Sequence, residues 1–196
     1  MKFDFDTPVE RDRIGNMKDN LVKESPFGEA SVMLSGAEMD YATAPVIRDA
    51  LAAFAQRGIY GYTLPDARYK RAVTDWMKNV RGLSVSAGEI VPTLGTIFAL
   101  NTAVRAFTDE GDGVIVQHPS YYRYDVGIGR NGRRVVSNPL IERDNVYEID
   151  FASLERCMAD KVNKLFVLCN PHNPTGKVII KDSLERIAAL SRKYNV

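Results

Sequence analysis

Lys164-Leu165-Phe166-Val167-Leu168-Cys169-Asn170-Pro171-His172-Asn173-Pro174-Thr175-Gly176 is the stretch on which the fold of this chain turns. Residues 164–170 are apolar along almost their whole length, as a strand buried on both faces should be. Residues 170–176 are turn chemistry: two Asn-Pro steps in five residues fix the backbone, and Gly176 lets it reverse. A helix is then predicted over 182–194, with Asp182 placed as a cap and Leu184, Ile187, Ala188 and Leu190 facing inward.

Working outward toward the N-terminus, strands and helices alternate. The pattern predicts a helix over 151–159, a strand over 134–136, a weaker helix over 122–131, and a buried strand over 114–116 behind a tight turn at 111–113. An apolar helix is expected over 96–107, preceded by a short strand over 89–93. Such alternation implies an α/β fold, a mostly parallel sheet covered by helices on both faces. Further upstream, Tyr69, Val73, Trp76 and Met77 recur on one face of a helix over 67–80 that Gly82 ends. Another helix is predicted over 44–57, opened by Pro45 and stopped by Gly58. In the first forty residues only 30–34 could be a strand, and nothing there suggests an independent core. The last residues, Tyr194-Asn195-Val196, stand where an alternating fold would begin its next strand, so the front part of a longer protein is expected.

Composition narrows the function. With 26 Lys+Arg against 25 Asp+Glu, the net charge of +1 provides no field suited to nucleic acid or an anionic membrane. At 45% hydrophobic residues the 196-residue chain has the makeup of an ordinary folded domain. No run approaches the roughly 18 to 20 apolar residues of a membrane helix, and the opening Met1-Lys2-Phe3-Asp4-Phe5-Asp6 is too acidic for a signal peptide, so a soluble cytoplasmic protein is expected. Cys157 and Cys169 have no Cys or His at metal-ligand spacing, which points to two buried, reduced thiols and to no disulfide or metal site.

Three loops could carry chemistry. In open α/β sheets the ligand crevice lies beyond the carboxyl ends of the strands. There Asn173 can offer an amide donor while the prolines hold it rigid; the alternative is a plain tight turn. At the 95–96 junction Gly95 lets a ligand approach the backbone, and the free amides of the helix start, with the Thr96 hydroxyl, suit a phosphate. A glycine turn with Thr96 as helix cap is the alternative. Neither a G-x-x-x-x-G-K loop nor a G-x-G-x-x-G fingerprint is present. Third, His118-Pro119-Ser120-Tyr121-Tyr122 sets an aromatic where it could stack on a flat heteroaromatic ring, worth about 0.5–1.5 kcal/mol. Tyr121, Tyr122 and Tyr124 could equally be packing. His118 and His172 are read as hydrogen-bonded bystanders rather than bases.

Together these loops resemble the fold type I family of pyridoxal 5′-phosphate (PLP) enzymes, the aminotransferase class I and II group. Asn173-Pro174-Thr175-Gly176 matches its N-P-T-G motif, Gly95-Thr96 falls where that family cradles the phosphate, and Pro119-Ser120-Tyr121 matches its P-x-Y segment. Ala37-Glu38-Met39-Asp40-Tyr41 and Tyr60-Gly61-Tyr62 resemble the subgroup of cystathionine β-lyases, or carbon–sulfur lyases, and the maltose-regulon modulators related to them. That subgroup usually reads A-D-M-D-F, so Glu38 and Tyr41 depart from it. The likeness runs from about Phe3 to Val196.

The resemblance implies that Tyr121 stacks on the pyridine ring, that Asn173 hydrogen-bonds its phenolic oxygen, and that Gly95 and Thr96 bind the phosphate. Tyr62 would reach the phosphate of a neighbouring subunit, which requires a homodimer. Residues 1–45 would contribute to a small domain and 46–196 to an incomplete large PLP-binding domain. The Schiff-base lysine, the aspartate facing the ring nitrogen and the arginine holding the substrate carboxylate would lie beyond Val196. Lys161, Lys164 and Lys177 match no catalytic position, so no catalytic residue is assigned and the chain alone should not turn over. The implied activity is release of a thiol, pyruvate and ammonia from a small sulfur amino acid. Transamination shares the early steps and stays open, as does a non-catalytic fragment or a regulatory binding protein.

Overall fold

Val114, Ile115 and Val116 are almost wholly inaccessible to solvent and form the middle of strand β1 (Gly113–His118). Because side chains alternate across a strand, the three supply both faces of the sheet. Val114 and Val116 pack with Val104 and Ile128, whereas Ile115 packs with Leu154, Met158, Ile179, Ile187 and Leu190. Helices α4 (Thr96–Phe107) and α5 (Arg123–Arg130) provide the first set, and α6 (Phe151–Ala159) and α7 (Lys181–Tyr194) most of the second. Each such side chain removed from water contributes about 1.5–3 kcal/mol, so the expected two-sided covering is the main apolar stabilisation of this unit.

This computed structural model describes residues 3–9, 16–28 and 36–196. Two compact units divide the chain, Met1–Leu64 and Pro65–Val196. The first holds α1 (Met17–Glu24) and α2 (Pro45–Ala55), a backbone bridge from Pro8 to Tyr41, and a buried Lys18 whose ammonium donates to Asp40 at 3.1 Å and to the Glu38 carbonyl at 3.3 Å. Pro45 opens α2 as expected. The strand expected over 30–34 lies outside the described residues.

The second unit begins with α3 (Ala67–Arg81), capped by the Asp66 carboxylate on the Tyr69 amide and stopped by Gly82 in the left-handed region. The sheet then takes the order β3-β2-β1-β4, with β2 (Arg134–Arg143), β3 (Val146–Ile149) and β4 (Asn163–Val167). β1 pairs in parallel with β2 and β4, and β2 pairs antiparallel with β3. The mostly parallel α/β sheet is therefore present. Arg133 ties α4 and α5 to it: its Nε donates to Thr108 Oγ1 at 2.9 Å and its Nη1 to the Asn131 carbonyl at 2.6 Å, a cation at the carboxyl ends of two helices.

Several expectations change. β4, expected to be buried on both faces, is half-buried: among the described residues it pairs with β1 alone, and β1 is the buried strand. No strand forms over 89–93. Glu89 instead closes a 3-10 turn, Ala87–Glu89, by accepting from the Ser86 amide at 2.6 Å, and Pro92 lacks a ladder donor. The 134–136 strand runs on to Arg143 and turns back into β3 through Asp144 and Asn145, both at positive φ as a two-residue hairpin of the primed type requires. Asp182 lies inside the first turn of α7, where its charge suits the helix dipole, and caps nothing; the cap position is Ile180. Ala188 is exposed rather than inward. Both cysteines are free, yet half-buried rather than buried.

Candidate functional site

Strands β1 and β4 run parallel, so the loops that leave them, beginning at Pro119 and Leu168, emerge at one edge of the sheet. Helix α4 leads directly into β1 and packs against the sheet through Val104, so it runs antiparallel to β1 and its first turn returns to that same edge. The three loops singled out in the sequence thus lie at the carboxyl-end side of the strands, the side on which open α/β sheets bind ligands.

The loop after β4 is closed by its own side chains. Asn170 mimics a strand neighbour, accepting from the Ile179 amide at 2.9 Å and donating to the Ile179 carbonyl at 3.3 Å. His172 is buried, and its Nδ1 lies 2.9 Å from Thr175 Oγ1. The His172 amide donates to the Lys177 carbonyl at 2.8 Å, and the Gly176 amide to the His172 carbonyl at 2.7 Å. Burial holds the imidazole below its ordinary pKa, against an opposing pull from the Gln117 backbone. His172 is thus a neutral structural pin, as its bystander reading expects. Asn173 differs from every polar neighbour in the loop. Its amide is exposed and has no hydrogen-bond partner among the described residues.

At the start of α4, Gly95 takes φ +101 and ψ 167, a conformation closed to ordinary L-residues, and a Cβ built there would meet no atom within 4 Å. Its carbonyl accepts from the Ala99 amide at 3.2 Å and from Thr93 Oγ1 at 3.2 Å. The amides of Thr96, Ile97 and Phe98 precede that first intrahelical bond, and no side chain caps them. Thr96 is exposed and is the first helical residue rather than the cap, a position that Gly95 holds. The result is an open, uncapped helix start with the positive end of the dipole outward.

Tyr121 follows His118-Pro119-Ser120 at the end of β1. His118 anchors this loop: its Nε2 lies 3.0 Å from Asp125 Oδ2 and its Nδ1 3.0 Å from Ser137 Oγ, on α5 and β2 respectively. The rings of Tyr122 and Tyr124 stand 5.4 and 5.5 Å from Tyr121 at 71° and 88°. Tyr124, for which the sequence left packing and stacking both open, also donates its hydroxyl to Cys169 Sγ at 3.4 Å. Only a known tertiary pairing could have assigned that link. Tyr62 lies in the first unit and is fully exposed. Of the lysines weighed, Lys161 and Lys164 stand at the amino end of β4, opposite the loops, and the Lys177 ammonium donates to the Tyr147 carbonyl.

Fold and site together define an α/β protein with an uncapped helix start, an aromatic ring and an exposed amide at one sheet edge. The chain belongs to the aminotransferase class I and II family, whose profile matches residues 31–196. It is 41% identical over 160 residues to the cystathionine β-lyase PatB of Bacillus subtilis, covering 82% of this chain and 41% of that protein. Protein MalY of Escherichia coli is 29% identical over 196 residues, 99% of this chain and 50% of its own length. Among solved structures, cystalysin from Treponema denticola, which contains a PLP cofactor, superposes with a TM-score of 0.91 at 36% identity over 98% of this chain and 50% of its own. The chain spans about half the length of the curated relatives it matches. Among the described residues no helix is long and apolar enough to cross a membrane.

Proposed function

We propose that this chain is the cofactor-holding part of a PLP-dependent carbon–sulfur β-lyase that acts on a small sulfur amino acid. The observation that carries this reading is the placement of three features at one sheet edge: the uncapped start of α4, the half-buried Tyr121 ring, and the exposed Asn173 amide, which has no partner among the described residues. They match the parts of the cofactor one by one. The amides after Gly95 and the Thr96 hydroxyl fit a phosphate, and the space beside Gly95 admits it because no Cβ stands there. The Tyr121 ring fits the flat pyridine, and Asn173 Nδ2 fits its phenolic oxygen.

When bound, PLP supplies an electron sink next to the Cα of the substrate amino acid. The chain's own residues bind and orient. Tyr121 fixes the ring plane, Asn173 donates to the ring oxygen, and the α4 start sets depth by holding the phosphate. The net reaction cleaves a Cβ–S bond and, with water, gives a thiol, pyruvate and ammonia. Tyr62 is read as a phosphate contact across the interface of a homodimer, which its full exposure permits. Residues 1–45 are read as part of a small domain, 46–196 as the large one, and the protein as cytoplasmic.

The family's own name supports a second reading as an aminotransferase, since the same contacts serve transamination. The test is product analysis on the intact enzyme with PLP and L-cystathionine. Equal yields of thiol and pyruvate are expected. Amino transfer to a 2-oxo acid without thiol release would overturn the lyase reading in favour of the second.

A further inference from the structure

Two of the three loops are joined by one side chain. Tyr124, in the first turn of α5, sets its ring 5.5 Å from that of Tyr121 at 88°. Its hydroxyl donates to Cys169 Sγ at 3.4 Å, and the Cys169 thiol donates onward to the Pro171 carbonyl at 3.3 Å. The path therefore runs from the aromatic ring after β1 to the backbone of the loop that presents Asn173. Its base is fixed, because Tyr124 packs on the core cluster of Val104, Val114, Val116 and Ile128. Burial and the Cys169 thiol push the phenol up to about 12, so the hydroxyl remains a donor at neutral pH.

We propose that Tyr124 is a positioning residue: through Tyr121 on one side and Cys169 on the other, it sets the spacing between the stacking ring and the Asn173 amide, so that a flat cofactor meets both at once. The inference rests on the reading of the site as a PLP site. A phenylalanine at 124 would fill the same space and keep the ring contact. What it would lose is the directional link between the loops, and that separates spacing from packing.

The experiment uses Tyr124→Phe, Cys169→Ala, Cys169→Ser and the Y124F/C169A double variant of the intact enzyme. PLP affinity is measured by equilibrium dialysis, the circular dichroism of bound PLP is recorded, and Cys169 labelling by a thiol reagent is followed in the apo protein by peptide mass. One lost neutral hydrogen bond corresponds to about a threefold to tenfold weaker PLP affinity. We expect that loss in Y124F and C169A, no further loss in the double variant, and recovery in C169S, whose hydroxyl keeps an acceptor. The cofactor's dichroism should change in Y124F, and Cys169 should label faster without PLP present. Unchanged PLP affinity in Y124F, or additive losses in the double variant, would overturn the spacing role while leaving the PLP site standing. Failure of the parent enzyme to take up PLP would instead overturn the functional reading, and this inference with it.

Discussion

Replacing Gly95 by alanine separates the conformational demand of the helix start from its use. At φ +101 an L-residue is strained by about 1–3 kcal/mol, and because a Cβ there meets nothing within 4 Å, no steric clash adds to it. For an intact enzyme of the relatives' length, about twice that of this chain, 1 kcal/mol corresponds to about 1–2 °C in Tm, so a fall of roughly 1–6 °C is expected. If the backbone relaxes instead, the Gly95 carbonyl leaves the Ala99 amide and Thr93 Oγ1, and the first turn of α4 frays. If the strain is held, the new Cβ occupies the space beside position 95 proposed to admit the phosphate; if it relaxes, the amides after it shift. One hydrogen bond to a charged group is worth about 1.5–3 kcal/mol, so PLP should bind about 10- to 150-fold more weakly. Calorimetry gives the first quantity and equilibrium dialysis against PLP the second, both on the intact enzyme. A lowered Tm with unchanged PLP affinity would place the phosphate elsewhere. An unchanged Tm would show that the positive φ is not required.

The two asparagines of the motif should behave oppositely. Asn170→Ala removes both bonds to Ile179, which is buried, and should destabilise by about 2–4 kcal/mol in urea unfolding; Asn173→Ala should stay within about 0.5 kcal/mol while PLP affinity falls. Gly113→Ala would set a Cβ 1.8 Å from Asn163 Oδ1 and 2.9 Å from Val136 Cγ2; Asn163 is buried and donates to the Cys157 carbonyl, so a loss of about 2–5 kcal/mol is expected, and a calorimetric Tm within 2 °C of the parent (about 1 kcal/mol) would refute that packing. His172 has a folded pKa below its unfolded value near 6.5, so the unfolded chain binds the extra proton as pH falls. Its contribution is complete above pH 6.5 and is lost on acidification through the lowered pKa. In His172→Gln this part of the pH dependence of stability should disappear.

Periodicity was a good guide where one face of an element decides its packing. Helices α4 and α6 span 96–107 and 151–159 as the apolar spacing requires, and β1 holds the buried valines between two helical layers. The exposure of β4 was not legible, because an apolar run looks the same in a central strand and in one paired on a single side. The hairpin of β2 and β3 was missed although Asp144-Asn145 carries its turn chemistry, since Ser137-Asn138-Pro139 interrupts the apolar pattern of β2 after Val136. Motif chemistry placed Tyr121 and Asn173 on loops and Gly95-Thr96 at a helix start, and the parallel pairing of β1 and β4 brings the first two to one edge. Tyr124 could not be found this way, because its partner Cys169 is forty-five residues away and no local pattern joins them.

The loop at 170–176 also shows why its polar residues cannot be weighed by type alone. Asn170 is committed to Ile179, His172 to Thr175, and the Thr175 hydroxyl further accepts from the Lys177 amide at 3.4 Å. These bonds satisfy groups that would be costly to leave unpaired as the chain reverses beside the sheet. Their second effect is to hold the backbone before a ligand arrives, so the ordering cost is met in folding rather than in binding. Asn173 is the residue that this closure leaves over: fixed in place by its neighbours, yet with its own amide unspent. The same division holds at Gly95, whose carbonyl is doubly occupied while the amides after it are not. At both loops the groups left unsatisfied face outward at one sheet edge, and the satisfied ones face the fold. It is on that partition, more than on the presence of asparagine, glycine or proline, that the proposed cofactor contacts rest.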